Sequence, residues 1–354
     1  TATASQLKPA ECGIVRLDNR RLVSVAGPDA AKFLQGLITN NVNPASSTPF
    51  YSAFLDARGR MLWDVFIYPT TAENNAEWGC LIEVDAGEAQ ALMRTLKKYK
   101  VRSKVTIRLL EEDSADAMTV WAGWGNAQDL TEELTRIGDS IAYIARDLRA
   151  GNMPGQDYFG VRFLMCGNAP PEIDGVPLLN MDQYRLRRYM LGIAEGPAEI
   201  QRESALPMEC NVDLAGGIDF RKGCYLGQEL TIRTKHQGVV RKRILPVQLA
   251  DQRFQVTEPL DIKQLDETGS IKKGRSAGKL LASIGNVGLA LCRLEMMTPM
   301  RVSAEGGSYK PGVEFAVQTP PQEEGSPAKD DSALPMRVKA FLPEWLLSKE
   351  SAIW

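Results

Sequence analysis

Between residues 61 and 146, strand-like and helix-like runs alternate in the order β-β-α-β-β-α-β, which confines this stretch to an α+β sandwich, a sheet with helices on one face. The segment 61–68 (MLWDVFIY) is rich in aromatic and β-branched residues and is expected to pair with 79–84 (GCLIEV). In the helix that follows, Ala89, Leu92, Met93, Leu96 and Tyr99 recur at helical spacing behind Asp85 and Glu88, a capping-box-like start. Strands at 104–110 and 118–122, a helix near 127–137 and a strand near 141–145 complete the run. Upstream, 13–25 reads as two short strands around Asp18-Asn19-Arg20, with a helix expected at 29–37. Downstream come a turn cluster at 151–155 (GNMPG), a strand at 160–165 and a helix at 181–191. From 240 onward short strands dominate: 243–249, 277–284, 287–294, 300–304, 312–318 and 335–341. That spacing predicts a small antiparallel barrel. The stretch 319–334 (TPPQEEGSPAKDDSAL) is rich in Pro, Ser and charge and reads as a mobile loop.

Charge and hydropathy exclude several classes. With 44% hydrophobic and 24% charged residues the chain can build a core, and no uncharged apolar run approaches membrane-spanning length. The net charge of −2 argues against a general polyanion binder. Positive charge is nevertheless concentrated. Residues 94–108 hold seven Lys and Arg and no acid, and 221–243 hold seven with the single acid Glu229. Neither run has the interleaved aromatic residues of a nucleic-acid module. Residues 269–276 (GSIKKGRS) narrowly miss a P-loop and lack its strand and helix context, so they read as a loop.

The six cysteines (12, 80, 166, 210, 224 and 292) form no C-x-x-C, which excludes a zinc ribbon, a dithiol redox motif and a self-contained ferredoxin. Scattered this way in a long chain, they read as reduced thiols. The only histidine, His236, excludes a multi-histidine metal site. The segment with the most unusual chemistry is Lys222-Gly223-Cys224-Tyr225-Leu226-Gly227-Gln228-Glu229. Glycines on both sides of a thiol allow close backbone approach. Lys222, Arg221 and a helix start near 226 favour thiolate, the form that binds iron or attacks an electrophile. A Gly-rich turn with a passive cysteine is the other reading. His236 is open to roles as a second ligand, a proton relay or a surface residue, and Arg241-Lys242-Arg243 to steering an acidic partner or guarding a strand edge.

The pattern Lys-Gly-Cys-Tyr-x-Gly-Gln-Glu resembles the signature of the YgfZ family, relatives of the folate-dependent T-protein of the glycine cleavage system. The resemblance extends through 16–40, 55–68, 96–107, 192–229 and 233–243, and it is strongest to the eukaryotic, mitochondrial branch that assists maturation of [4Fe–4S] proteins. It implies three domains around a central hole: a discontinuous α+β domain (1–60 and 147–240), an inserted ferredoxin-like α+β domain (61–146) and a C-terminal β-barrel (241–354). It also implies a matrix location, with the targeting peptide absent from this chain.

The resemblance further implies a cluster-assembly role alongside an A-type iron–sulfur carrier, with [4Fe–4S] apoproteins as recipients. Cys224 would ligate or shield a cluster shared with that partner, since one thiol cannot supply about four ligands. Lys222, Gly223, Tyr225, Gly227, Gln228, Glu229 and His236 would frame it. The alternative is a folate-dependent aminomethyl transferase or tetrahydrofolate-binding module, with Trp63, Asp64, Glu209 and Tyr225 lining a pterin pocket. The T-protein's paired acid reads here as Trp63-Asp64. An indole removes general-base capacity, which disfavours the transferase and leaves enzymatic activity open. From the residues alone, Asp64 could equally be a carboxylate on the solvent side of a strand.

Overall fold

Two antiparallel sheets and a closed barrel account for the strands, and the chain divides into two compact units. The structure, a computed structural model, describes residues 8–70, 78–111, 114, 116–125, 127–151, 159–251, 256, 258–302, 307, 309–317 and 335–349. One unit comprises Ala10–Tyr184 and Glu195–Gly238. Its elements are β1 (Gly13–Arg16), β2 (Arg20–Ala26), α1 (Ala30–Gln35), β3 (Phe50–Leu55), β4 (Met61–Thr70), β5 (Gly79–Asp85), α2 (Ala89–Lys100), β6 (Thr106–Leu109), β7 (Met118–Trp124), α3 (Ala127–Ile137), β8 (Ile141–Asp147), β9 (Gly160–Cys166), the start of α4 (Met181–Met190), and α5 (Gln228–Gln237).

The first sheet runs β3-β4-β5-β2-β6 and the second β1-β7-β9-β8. The run 61–146 therefore does not form one sheet. β4, β5 and β6 join β2 and β3, whereas β7 and β8 join β1 and β9. The reason lies in the side chains. β4, β5 and β9 are almost wholly buried on both faces, so each sheet is covered twice. On its outer face the first sheet presents Val23, Val25, Trp63, Val65, Ile67, Ile82 and Val84 to Phe33 and Leu34 of α1 and to Leu92 and Leu96 of α2. The second sheet presents Ile14, Trp121, Val161 and Phe163 to Leu130 and Leu134 of α3. Their inner faces meet, with Tyr68 of β4 against Tyr143 of β8 at 5.7 Å between ring centres. Asp85 accepts from the Gly87 amide ahead of α2, but Glu88 does not close a reciprocal box: its carboxylate takes the Trp63 indole N–H at 2.7 Å.

The other unit comprises Arg185–Ala194 with Val239 onward, besides the first nine residues. It closes a six-stranded barrel from β10 (Lys242–Leu249), β11 (Leu260–Gln264), β12 (Gly278–Ile284), β13 (Val287–Arg293), β14 (Phe315–Val317) and β15 (Met336–Ala340), in the order β10-β13-β12-β11-β14-β15, sealed by β15 on β10. Arg301 and Val302 lie outside any strand, and 303–304 fall outside the described residues, as do 152–155 and the expected mobile loop 319–334. Arg243 is no surface cation. Its side chain is buried, so it neither steers a partner nor guards an edge.

Candidate functional site

The signature segment is a loop fastened to residues 35–40, the end of α1 and the turn that follows it. Lys222 makes the strongest anchor. Its ammonium donates to the carbonyl oxygens of Gln35 (2.8 Å), at the end of α1, and of Ile38 (2.7 Å) and Asn40 (2.7 Å) in the turn beyond it. Burial pushes this lysine down to about 8. The Leu226 amide donates to Gly36 O, the Asp219 amide to Thr39 O, and the Gln228 side chain accepts from the Tyr225 amide. Tyr225 is buried beneath the loop, under the Lys222 ammonium, and burial lifts its phenol to about 12. These contacts assign Lys222 to fixing the chain: none of its hydrogen bonds goes to the Cys224 sulfur.

The two glycines have different tasks. Gly227 caps α5 at φ 79°, a left-handed conformation that favours glycine, and a Cβ there would lie 2.2 Å from Asp56 O. It packs on Gly59, itself at φ 78°, where two backbones cross. Around Gly223 there is open space, so close approach exists on one side of the thiol only.

The loop leaves Cys224 exposed. Glu229 is exposed as well, and Gln228 half-buried. His236 sits in the last turn of α5, roughly 12 Å of helical rise beyond Gln228, so it does not join Cys224 as a neighbouring ligand. Cys210 is buried, and burial drives its thiol well above the ordinary range. Among the described residues no group of three or more His, Cys, Asp or Glu side chains is placed to hold a metal ion.

Trp63 and Asp64, two of the four residues expected to line a pterin pocket, do not face the same side. Successive residues of a strand point to opposite faces. Trp63 accordingly enters the helix-side core, where Phe54 meets it edge-on and Arg202 lies 5.0 Å over its ring. Asp64 points between the sheets, accepting from the Gly196 amide at 2.9 Å and from Arg20 at 3.4 Å. It is buried, not solvent-facing. Glu209 is half-buried, whereas Arg202 pairs with Glu88 at 3.0 Å.

Asp64 belongs to a buried ionic layer that sequence reasoning missed. Glu83 accepts from Arg20 (2.7 Å), Arg162 (2.8 Å) and the Tyr68 hydroxyl (2.8 Å). Glu195 accepts from Arg149 (2.7 Å) and the Tyr184 hydroxyl (2.8 Å), and Arg149 also grips Asp147 (2.6 Å). Burial alone would raise Glu83, yet Arg162 and Arg20 hold it below the usual carboxylate range. The available signal was a single charge inside an otherwise apolar strand: Arg162 in Val161–Phe163, Glu83 in Ile82–Val84, Asp64 in Trp63–Val65. Such a residue must find a buried counter-charge.

This arrangement is the T-protein fold. The chain superposes on the crystal structure of glycine cleavage system aminomethyltransferase T from Bartonella henselae with a TM-score of 0.60, covering 96% of this chain and 87% of that one at 14% identity, a likeness of fold alone. Residues 241–347 match the family described as CAF17, C-terminal beta-barrel domain. Along nearly its whole length the chain is 43% identical to the "Iron-sulfur cluster assembly factor IBA57 homolog, mitochondrial" of Phaeosphaeria nodorum, covering 99% of this chain and 84% of that protein. It is 45% identical to the protein of the same name from Pyricularia oryzae, covering 94% and 85%. The chain belongs to the family of IBA57 homologues.

Proposed function

We propose that this chain is an assembly factor for the maturation of mitochondrial [4Fe–4S] proteins, acting in the matrix in complex with an A-type iron–sulfur carrier. Cys224 supplies one thiolate to a cluster shared across the interface, and recipient apoproteins take the cluster from that complex. The observation that carries this reading is the presentation of Cys224: an exposed thiol at the tip of a loop bolted down by backbone bonds and the Lys222 ammonium. The family membership supports the cluster as cargo, since the relatives are named for iron–sulfur cluster assembly.

A cluster needs about four ligands, so a lone thiol requires a partner that brings the rest. On binding, the Cys224 Sγ–H proton leaves to solvent and the sulfur becomes a thiolate ligand. The fixed loop lowers the entropy lost when that sulfur is captured. The transferase alternative draws less support, because Asp64 is engaged by Arg20 and the Gly196 amide instead of standing open as a base.

The test mixes the protein with an iron-loaded A-type carrier under anaerobic, reducing conditions and records size-exclusion mass and visible absorption. A coloured 1:1 complex that Cys224→Ser abolishes is the expected result. A coloured complex that forms equally well without the thiol would reduce the protein to a scaffold. No complex, with tight tetrahydrofolate binding by calorimetry, would restore the transferase reading.

A further inference from the structure

The turn between α2 and β6 breaks a rule of backbone chemistry in full view of solvent. Val101 has φ 42° and ψ −100°, and the Ser103 amide closes the turn onto Lys100 O at 2.7 Å. That is the first central position of a type II′ turn, where glycine belongs. Three non-glycine residues among those described have positive φ (Val101, Glu203 and Asn211), and Val101 alone is β-branched, the residue class least suited to it. It also gains no burial in return, being 83% exposed. An outlier of this kind that packing does not account for is a ground for seeking a function there.

The surroundings say what the site meets. Lys97, Lys98, Arg102 and Lys104 are exposed around Val101, and no salt bridge engages them among the described residues. Lys104 bonds through its backbone to Asp29, immediately ahead of α1. The signature loop bonds to residues 35–40, immediately behind α1. One six-residue helix, roughly 9 Å long, therefore links the basic turn to the Cys224 loop, and exposed Lys32 lies on it. An interface of ordinary size, about 800 Å² per partner, spans both.

Resting on the cluster-sharing reading of Cys224, we propose that the Lys97–Lys104 turn is a docking knob for an acidic protein partner, which seats Val101 in an apolar socket and extends along α1 to the thiol. Charge complementarity identifies the partner's docking face as acidic. A merely solvated basic face accounts for the lysines but not for an exposed valine at a glycine position. A lipid surface fits less well, since one valine and one partly exposed tyrosine, Tyr99, offer little to insert.

The probe is an A-type carrier, titrated with wild type, Val101→Gly, Lys98→Glu/Arg102→Glu and Cys224→Ser between about 50 and about 400 mM salt. Wild-type binding is expected to weaken about tenfold or more over that range, and the charge reversals to weaken it about tenfold at low salt while flattening the salt dependence. Val101→Gly is expected to hold or raise the thermal midpoint while weakening binding several-fold, the opposite of what a structural role gives. Cys224→Ser is expected to lose the cluster yet keep salt-sensitive docking. Unchanged binding in the turn variants, with Cys224 still required for the cluster, overturns the knob and leaves the proposed function standing. Turn-dependent docking with a cluster indifferent to Cys224 does the reverse. No binding by wild type at any salt overturns both. Sedimentation with cardiolipin vesicles that Lys98→Glu/Arg102→Glu abolishes, with carrier binding untouched, reassigns the surface to lipid.

Discussion

The ionic layer between the two sheets and the Cys224 loop are both built from groups that could do chemistry, and they are treated in opposite ways. In the layer, every carboxylate named above accepts from an arginine, and Glu83 and Glu195 take a tyrosine hydroxyl as well. Asp64 is buried, and its two carboxylate oxygens are engaged by the Gly196 amide and by Arg20. In the loop, the lysine ammonium is engaged by three carbonyl oxygens while the thiol is left to solvent. Groups engaged with one another hold a fold, whereas an exposed thiol stays available to a partner, which is why the proposed function rests on the surface loop and not on the layer between the sheets.

The comparison breaks most visibly in the layer. Removing one partner strands a buried charge, so Glu83→Gln and Arg162→Met are each expected to cost about 3–5 kcal/mol in chemical denaturation. Acid makes the same point with a definite sign. Glu83 titrates below its ordinary 4.5 in the folded chain, so the unfolded chain takes up its proton first as pH falls. Its stabilisation is therefore complete above that value and lost below it. Glu83→Gln is expected to flatten that part of the stability–pH curve. A variant that denatures at wild-type denaturant concentrations would mean that the layer is not the anchor described here.

The two regions were unequally legible in the sequence. The signature loop could be found because its chemistry is contiguous: eight residues carry the thiol, the anchoring lysine and both glycines. The barrel strands were legible from their spacing and turn signals, apart from β11, whose Asp261 and Lys263 blur the pattern. The ionic layer was not, because its members are gathered from Arg20 to Glu195, from strands of both sheets and from the loops at Arg149 and Glu195, and each looks locally like a lone charge. The division of 61–146 between two sheets was hidden for a related reason. Strand order depends on β1, β2, β3 and β9, which lie outside that run. Trp63-Asp64 shows the limit of neighbour-by-neighbour reading, since a strand sends the two side chains to opposite faces.

Within the loop the contrast can be sharpened by its paired residues. Gly227→Ala places a Cβ 2.2 Å from Asp56 O at a left-handed φ and is expected to cost about 1–3 kcal/mol. Gly223→Ala meets nothing within 4 Å and is expected to stay within about 0.5 kcal/mol of wild type. If both cost the same, the loop is held by something other than the crossing at Gly59. Lys222→Met leaves three carbonyls without their donor and is expected to cost about 1–3 kcal/mol. Hydrogen exchange should show the loss in residues 35–40 and 222–226, with the ionic layer still protected.

The smallest effect on stability should come from the residue that matters most to the proposed chemistry. Cys224 is exposed and makes no hydrogen bond among the described residues, so Cys224→Ser is expected to change unfolding free energy by less than about 0.5 kcal/mol. Its sulfur should nevertheless be among the first to react. In the native protein, Cys166 and Cys224 are exposed, Cys12 is half-buried, and Cys80, Cys210 and Cys292 are buried, with burial driving these last three thiols away from thiolate. Alkylation followed by peptide mass mapping should therefore label Cys166 and Cys224 fast, Cys12 more slowly, and the other three only on unfolding. Adding an iron-loaded carrier then separates the two fast thiols. Protection of Cys224 with Cys166 still reactive places the cluster contact at the signature loop, whereas equal labelling of both with and without the carrier removes Cys224 from the interface.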